Sequence, residues 1–282
     1  MVRVGFALDL HAALQNPTSR KDSYFDACIN KLEFMLKSCD TLVLAGDLFH
    51  KARTEDVVKN RILKLLNHYG KDVYTIIGNH DIEQDAMHTL PRTSLGNLAY
   101  HKCVTILNPD KIWNISGLKV GVLSYNIETA KSQTFESELD VVIGHHFYEW
   151  TRDLTKSIEE SNVAQYNTRY LILGHDHEPH PNILVNNTTI LRFGSVMRDR
   201  LQSYTPEHRP TMAVFELKRS KIENVVFLEI PHTPFESAFR FEEKREFKKC
   251  TKLVSDIRGF LESMKLENTS KKTIGTVLKD NL

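Results

Sequence analysis

The sequence has 282 residues, of which 41% are hydrophobic and 26% are charged, enough for one large core with a small additional segment. Its 37 Lys and Arg nearly balance 36 Asp and Glu, and the net charge of +1 excludes a polybasic nucleic-acid coat or an acidic tail protein. Four cysteines without a CxxC pair predict a reduced compartment and no disulfide framework.

The N-terminal segment predicts no signal peptide, because Asp9 interrupts its only apolar run and no small-residue cleavage site follows. No apolar stretch in the sequence reaches the roughly 18 residues that a membrane span requires. We therefore expect a cytoplasmic protein that does not interact with a membrane.

Short apolar runs rich in β-branched residues alternate with helical patterns in the first part of the chain. Two helices, predicted over Ser23–Lys37 and Glu55–His68, separate the first three strands, which favours βαβ units with parallel strand pairing. The predicted strands are Val2–Leu8, Thr41–Ala45, Val73–Ile77, Lys119–Ser124, Asp140–Ile143 and Tyr170–Leu173.

The later part of the chain has a different pattern. Strands over Thr188–Phe193, Thr211–Lys218 and Ile222–Ile230, joined by short turns, predict an antiparallel meander. Residues 236–282 form a separate, slightly basic segment, and the spacing of its apolar residues predicts an amphipathic helix over Glu243–Lys265.

Five of the early strands are each followed directly by polar side chains that can bind a metal. The carboxyl ends of strands in an α/β sheet converge on one crevice, so these side chains are expected to meet in space. They occur in the motifs Asp9-Leu10-His11, Gly46-Asp47, Gly78-Asn79-His80-Asp81, Gly144-His145-His146 and Gly174-His175-Asp176-His177.

Carboxylate, amide and imidazole ligands without thiolate favour Mn²⁺, Fe²⁺ or Zn²⁺. Seven of these side chains are plausible metal ligands, which is too many for one ion with open positions but suits two ions that share a carboxylate. Two such ions can hold the attacking and leaving oxygens of a phosphoester. Each motif alone is also typical of an ordinary turn. Their joint occurrence, each after a strand, favours a metal site.

This order of motifs resembles the calcineurin-like metallophosphoesterase family. The resemblance implies an α/β fold of two mixed β-sheets packed face to face with flanking helices, and a catalytic domain over residues 1–235 followed by the helical tail 236–282. It implies one metal held by Asp9, His11, Asp47 and His177, and a second held by Asp47, Asn79, His145 and His175. His146 could replace His145, which is preferred because it comes first after its strand.

The family resemblance also implies a mechanism. The nucleophile would be a metal-bound hydroxide. His80 would not bind metal but would contact the scissile phosphate and stabilise or protonate the leaving oxygen.

Two further segments resemble one branch of the family, the SbcD-type nucleases of double-strand-break repair. These segments are Gly46-Asp47-Leu48-Phe49-His50 and Gly194-Ser195-Val196-Met197-Arg198. The resemblance implies a compact, virus-encoded DNA exonuclease or endonuclease of recombination and repair, loaded with two Mn²⁺ ions and located in the host cytoplasm. It also implies an SbcC-type coiled-coil ATPase partner and a homodimer.

Several residues near the predicted metal ligands are candidates for supporting the ligands or contacting phosphate. They are His50, Asp81 and Arg198, with Arg53, Arg92 and Arg200 as further arginines that could contact a nucleic-acid backbone. In the alternative interpretation, Leu48 and Phe49 are core residues, His50 lies in a surface turn, and the arginines are solvated surface charges.

The alternative function is a nucleotide or small-molecule phosphodiesterase on the same fold. The apolar stripe of the tail helix either packs on the catalytic domain or binds the coiled coil of the ATPase.

Overall fold

The computed structural model describes residues 1–149 and 157–240. The helices are α1 (Tyr24–Ser38), α2 (Asp56–Tyr69), α3 (Ser94–Tyr100), α4 (Ile127–Ser132), α5 (Glu160–Val163) and α6 (Phe235–Ala238). The strands are β1 (Val2–Ala7), β2 (Thr41–Leu44), β3 (Val73–Thr75), β4 (Thr105–Ile106), β5 (Trp113–Ile115), β6 (Leu118–Val122), β7 (Leu139–His145), β8 (Phe147–Tyr148), β9 (Ser157–Ile158), β10 (Thr168–Gly174), β11 (Ile183–Val185), β12 (Thr188–Leu191), β13 (Thr211–Lys218) and β14 (Lys221–Glu229).

The first sheet has six strands in the order β14-β13-β1-β2-β3-β4. Strands β1 to β4 pair in parallel, as the predicted βαβ units require, while β13 and β14 are antiparallel additions beside β1. The predicted elements α1 and α2 connect the parallel strands. Ser23 caps α1 by accepting a hydrogen bond from the Asp26 amide, and Gly70 ends α2 in the left-handed conformation.

The second sheet also has six strands, in the order β11-β12-β10-β7-β6-β5. Its central strands β12, β10, β7 and β6 are parallel, and both edge strands are antiparallel. The expectation of one meander at Thr188–Phe193, Thr211–Lys218 and Ile222–Ile230 is therefore wrong. β12 pairs with β10 in the second sheet, whereas β13 and β14 belong to the first, because each strand adds to the sheet where its apolar face is buried.

Three apolar clusters make the molecule a four-layer sandwich. The central cluster lies between the two sheets and includes Phe6 and Phe215 from the first sheet and Val141 and Ile172 from the second. A second cluster packs α1, α2 and α3 on the outer face of the first sheet, and a third covers the outer face of the second sheet. The predicted fold of two mixed sheets with flanking helices is confirmed.

The end of the described chain packs on the sandwich. Phe235, Ala238 and Phe239 are buried with Leu201, and the Arg240 amide donates to the Ser19 carbonyl over 3.1 Å. The predicted helix over Glu243–Lys265 lies outside the described residues. Within the described part of the chain, no helix combines the length and hydrophobicity needed to cross a membrane.

Candidate metal centre

Four of the predicted ligands lie in the left-handed backbone region directly after their strands. The φ angles are +53° at Asp9, +46° at His11, +47° at Asp47 and +81° at His175. Residues with side chains rarely adopt this conformation, and such strain concentrates at functional sites. Ser195 supports the backbone at Asp9, because its hydroxyl donates to the Asp9 carbonyl over 2.8 Å.

The glycines of the motifs allow the loops to approach one another closely. Gly46 has a φ of +89°, and a Cβ there would collide with the His145 ring. A Cβ on Gly78 would collide with the Asp47 carboxylate, so the loop after β3 needs glycine to lie against the loop after β2.

One group of ligands gathers where the loops after β1 and β10 meet. Asp9, His11 and His177 place possible ligand atoms within 4.8 Å of one another. The Nε2 atoms of His11 and His177 are only 2.9 Å apart. The Asp9 carboxylate also accepts from the His175 amide at 3.1 and 3.2 Å, which fixes its orientation.

The second group contains Asp47, His145 and His175, again within 4.8 Å of one another. Asp47 Oδ2 lies 3.2 Å from His145 Nε2 and 3.5 Å from His11 Nε2, so this carboxylate stands between the two groups. Asn79 joins the second group, because its Oδ1 is 3.3 Å from His145 Nε2. His145 Nδ1 donates to the Ala45 carbonyl over 2.9 Å, which turns Nε2 towards the cluster.

The electrostatics of the cluster depend on burial and on two carboxylates. Burial alone would raise the pKa of Asp47, but the charge of His145 and its hydrogen bond outweigh burial and hold this pKa well below its usual range. Burial would lower the pKa of His145, but the charge of Asp47 and the hydrogen bond to it raise that pKa to about 10. Burial raises the pKa of Asp9.

Two of the other imidazoles are held in the neutral form that binds metals. Burial lowers the pKa of His11 well below its usual range. Burial and the neighbouring positive charge of His145 lower the pKa of His175 to about 3. Their ring nitrogens therefore keep a free lone pair at neutral pH.

The donor set fits two divalent cations. The imidazole, amide and carboxylate donors suit a borderline divalent ion, and no thiolate joins them in the described part of the chain. The Asp47 carboxylate between two groups of ligands suits a bridging position. The structure thus brings together all seven residues predicted as ligands.

His80 lies beside the cluster with its ring held by the neighbouring loop. Its amide donates to Asp47 Oδ1 over 2.8 Å, and its Nδ1 contacts the His50 carbonyl at 2.7 Å, so Nδ1–H donates and Nε2 stays available. The His80 and His50 rings stack at 5.3 Å, and nitrogens of His11, His50 and His80 lie within 4.8 Å of one another. Leu48 and Phe49 are core residues, but His50 is half-buried against His80.

Asp81 braces the loop that carries Asn79 and His80. It is fully buried and accepts hydrogen bonds from the amides of Gly78 at 3.1 Å and Phe49 at 3.5 Å. Burial and the nearby charge of Asp47 raise its pKa to about 7. Asp81 thus connects the loops after β2 and β3.

Of the two adjacent histidines, His145 lies in the cluster. His146 is buried with its Nε2 at 2.7 Å from the Ser124 carbonyl, and burial lowers its pKa to about 4. Between the two alternatives, the structure therefore brings only His145 to the other ligands.

Of the predicted arginines, Arg53, Arg92 and Arg198 do not gather at the cluster, whereas Arg200 pairs with Asp199 beside His177. The Arg198 guanidinium is buried, donates to the Thr233 carbonyl and lies 5.9 Å from the Phe239 ring, so it contacts the end of the described chain. Arg53 and Arg92 both pair with Glu83, at 2.6 and 3.2 Å.

No sequence motif pointed to Asp199, which lies beside the cluster. Its Oδ1 lies 3.6 Å from His177 Nδ1, and its Oδ2 lies 3.3 Å from Arg200 Nε. Burial would raise the pKa of Asp199, but the hydrogen bond and charge of His177 hold it well below its usual range. Carboxylates in this position orient ligating histidines. The only signal in the sequence was its place directly after Arg198.

The sandwich and its cluster are those of a metal-dependent phosphoesterase, and comparison with known families agrees. The calcineurin-like phosphoesterase family matches residues 3–179, more than half of the chain, so the protein belongs to this family. A search of curated proteins finds no match.

Several solved structures are similar to the chain. The protein TT1561 of Thermus thermophilus has 8% identity and a TM-score of 0.48, with 82% of this chain and 99% of that chain covered. Vps29 of Chaetomium thermophilum has 12% identity and a TM-score of 0.39, with 84% and 100% covered. A protein serine/threonine phosphatase from Saccharomyces cerevisiae has 9% identity and a TM-score of 0.39, with 84% and 82% covered.

Proposed function

We propose that this protein is a DNA nuclease that hydrolyses phosphodiester bonds with two Mn²⁺ ions, in the manner of SbcD-type exonucleases and endonucleases. The observation that carries the proposal is the contact between His50 and His80. His50 is the last residue of the segment Gly46–His50 that resembles this nuclease branch, and its carbonyl lies 2.7 Å from His80 Nδ1. The segment Gly46–His50, which resembles the SbcD-type nucleases, therefore holds the ring of His80, the residue expected to contact the scissile phosphate.

The protein's own residues supply orientation and a proton at defined atoms. Because Nδ1 of His80 is committed to a carbonyl, its Nε2 is the atom that exchanges a proton with the leaving oxygen. Such general acid catalysis contributes about 10²–10⁴-fold to a rate. The His80 amide donates a hydrogen bond to Asp47. This bond fixes the position of His80 relative to the carboxylate that lies between the two groups of ligands.

The metal ions would be held by the seven residues of the two groups. When bound, two such ions lower the pKa of a water molecule and neutralise charge on the phosphate. The mixture of imidazole, amide and carboxylate ligands supports Mn²⁺ among the borderline ions.

The proposed partners are DNA and an SbcC-type coiled-coil ATPase, with a second copy of the chain as a further partner. The segment proposed to bind the ATPase is residues 241–282, which follow the packed residues 235–240. Deletion of 241–282 should leave manganese-dependent cleavage of simple diesters intact and abolish co-purification with the ATPase. A truncated protein that still binds the ATPase would contradict this assignment.

The nuclease proposal is tested by comparing substrates. The purified protein with Mn²⁺ should cut linear double-stranded DNA, and a His80→Asn variant purified in parallel should lose most of that activity while still binding metal. Efficient hydrolysis of 2′,3′-cyclic nucleotides without cleavage of DNA would instead support the small-molecule phosphodiesterase.

A further inference from the structure

A cavity of about 200 Å³ opens beside the metal cluster. It is lined by the loop after β1, the loop after β2, Tyr24 from α1, and the pair Asp199 and Arg200. His50, which lines the cavity, also belongs to the cluster of His11, His50 and His80. The cavity therefore begins where the scissile phosphate is expected to lie.

We infer that this cavity binds one unstacked nucleoside of the substrate, the one joined to the scissile phosphate. The inference rests on the proposed function and names the part of the substrate that the site selects. Hereafter the cavity is called the nucleoside pocket, lined by Ala13, Gln15, Asn16, Pro17, Tyr24, His50, Lys51, Thr54, Glu55, Asp199 and Arg200.

The size of the nucleoside pocket sets what it can hold. Sites that enclose a whole drug-sized ligand measure roughly 300–1,000 Å³. At about 200 Å³ the pocket suits one part of a substrate, a base with its sugar, and is too small for a base pair. A pocket of this kind is known from enzymes that do chemistry on a base, which take the nucleotide out of the stack to reach it.

The lining offers both apolar surface and polar groups for a nucleoside. Ala13, Pro17 and the buried Tyr24 supply the apolar part. Gln15 is exposed, and within the described residues its amide makes no hydrogen bond, so it can bind a base edge. Asn16 is already engaged, because its Nδ2 donates to the Asp22 carbonyl and its Oδ1 accepts from the Tyr24 amide.

Two cations, Lys51 and Arg200, and two carboxylates, Glu55 and Asp199, line the nucleoside pocket, so a phosphate would be bound by the individual cations and not by a net positive charge. The Arg200 side chain is 62% exposed, and its Nε lies 3.3 Å from Asp199 Oδ2. Cationic side chains at such positions contact phosphates without reading the base. His50 adds a buried Nδ1 that has no hydrogen-bond partner among the described residues. A nucleoside phosphate would supply acceptors for all three side chains.

The test compares two diesters with the same leaving group, thymidine 5′-(p-nitrophenyl phosphate) and methyl p-nitrophenyl phosphate. With Mn²⁺, the wild-type protein should prefer the thymidine ester at least tenfold in kcat/KM. Ala13→Leu fills the pocket and Gln15→Ala removes its free amide, and each should reduce this preference severalfold. Asn187→Ala, which removes an exposed amide from the turn between β11 and β12, should keep the preference.

The outcomes separate the inference from the function on which it rests. Equal kcat/KM values for the two esters in the wild type, or an unchanged preference in Gln15→Ala, would overturn the nucleoside pocket and leave the phosphodiesterase intact. Because Gln15 is exposed, its variant stays informative if Ala13→Leu does not fold. Hydrolysis of neither ester would overturn the proposed function and the pocket together.

Discussion

Replacing Asp199 tests whether a residue outside the cluster controls metal binding. The Asp199 side chain is 8% exposed and lies on the Nδ1 side of His177, while Nε2 of His177 faces His11. Asp199→Asn keeps the size and an acceptor oxygen but removes the charge that holds the imidazole. Loss of such an outer carboxylate typically weakens metal affinity about 10–100-fold, which corresponds to about 1.4–2.8 kcal/mol of binding free energy.

The assay is calorimetric titration with Mn²⁺. We expect the wild type to bind two equivalents and Asp199→Asn to bind one of them 10–100-fold more weakly, because His177 belongs to only one group of ligands. Arg200→Ala is the matched control, since it removes the other ion pair of Asp199 and leaves the contact with His177 in place. That control should change affinity less than a few-fold, because an exposed ion pair contributes little.

Two results would refute the reasoning. Unchanged titration curves for Asp199→Asn would mean that Asp199 does not position His177. An equally large loss of Mn²⁺ affinity in Arg200→Ala would mean that the combined electrostatic field of the charges in this loop sets the affinity, and not the contact between Asp199 and His177.

Three further predictions follow from the same structure. His80→Asn should retain both metal ions in calorimetry and lose about 10²–10⁴-fold in kcat, whereas a lost ion would make His80 a ligand. Asp47→Ala should abolish turnover and lower the number of ions bound, and two tightly bound ions with normal activity would contradict its bridging position. Burial, together with the charges of Arg198 and Arg20, lowers the pKa of Lys31 to about 7. The unfolded chain therefore binds the extra proton above about pH 7, and stability should rise with pH there. Lys31→Met should lose that rise, on the order of 2 kcal/mol between about pH 7 and pH 9 in urea unfolding, and an identical pH dependence would contradict this origin.

The parallel half of the first sheet was predictable because its signals are local. Strands β1 to β3 and helices α1 and α2 each have a recognisable pattern of apolar residues. Right-handed helical crossovers between the strands then favour parallel pairing. The later strands were harder to place. β12 and β13 have similar local patterns but join different sheets, and only the burial of their faces in the assembled sandwich decides between the sheets.

The donor residues of the site could be predicted from the sequence, because each follows a predicted strand and the carboxyl ends of strands in α/β sheets converge on one crevice. Only the tertiary structure shows which of two neighbouring residues contacts the cluster. His145 reaches Asp47 while His146 contacts a carbonyl, and Arg198 turns to Thr233 while Asp199 meets His177. Adjacent side chains leave the backbone in different directions, and which one meets the cluster depends on loops that are distant in sequence and in contact only after folding.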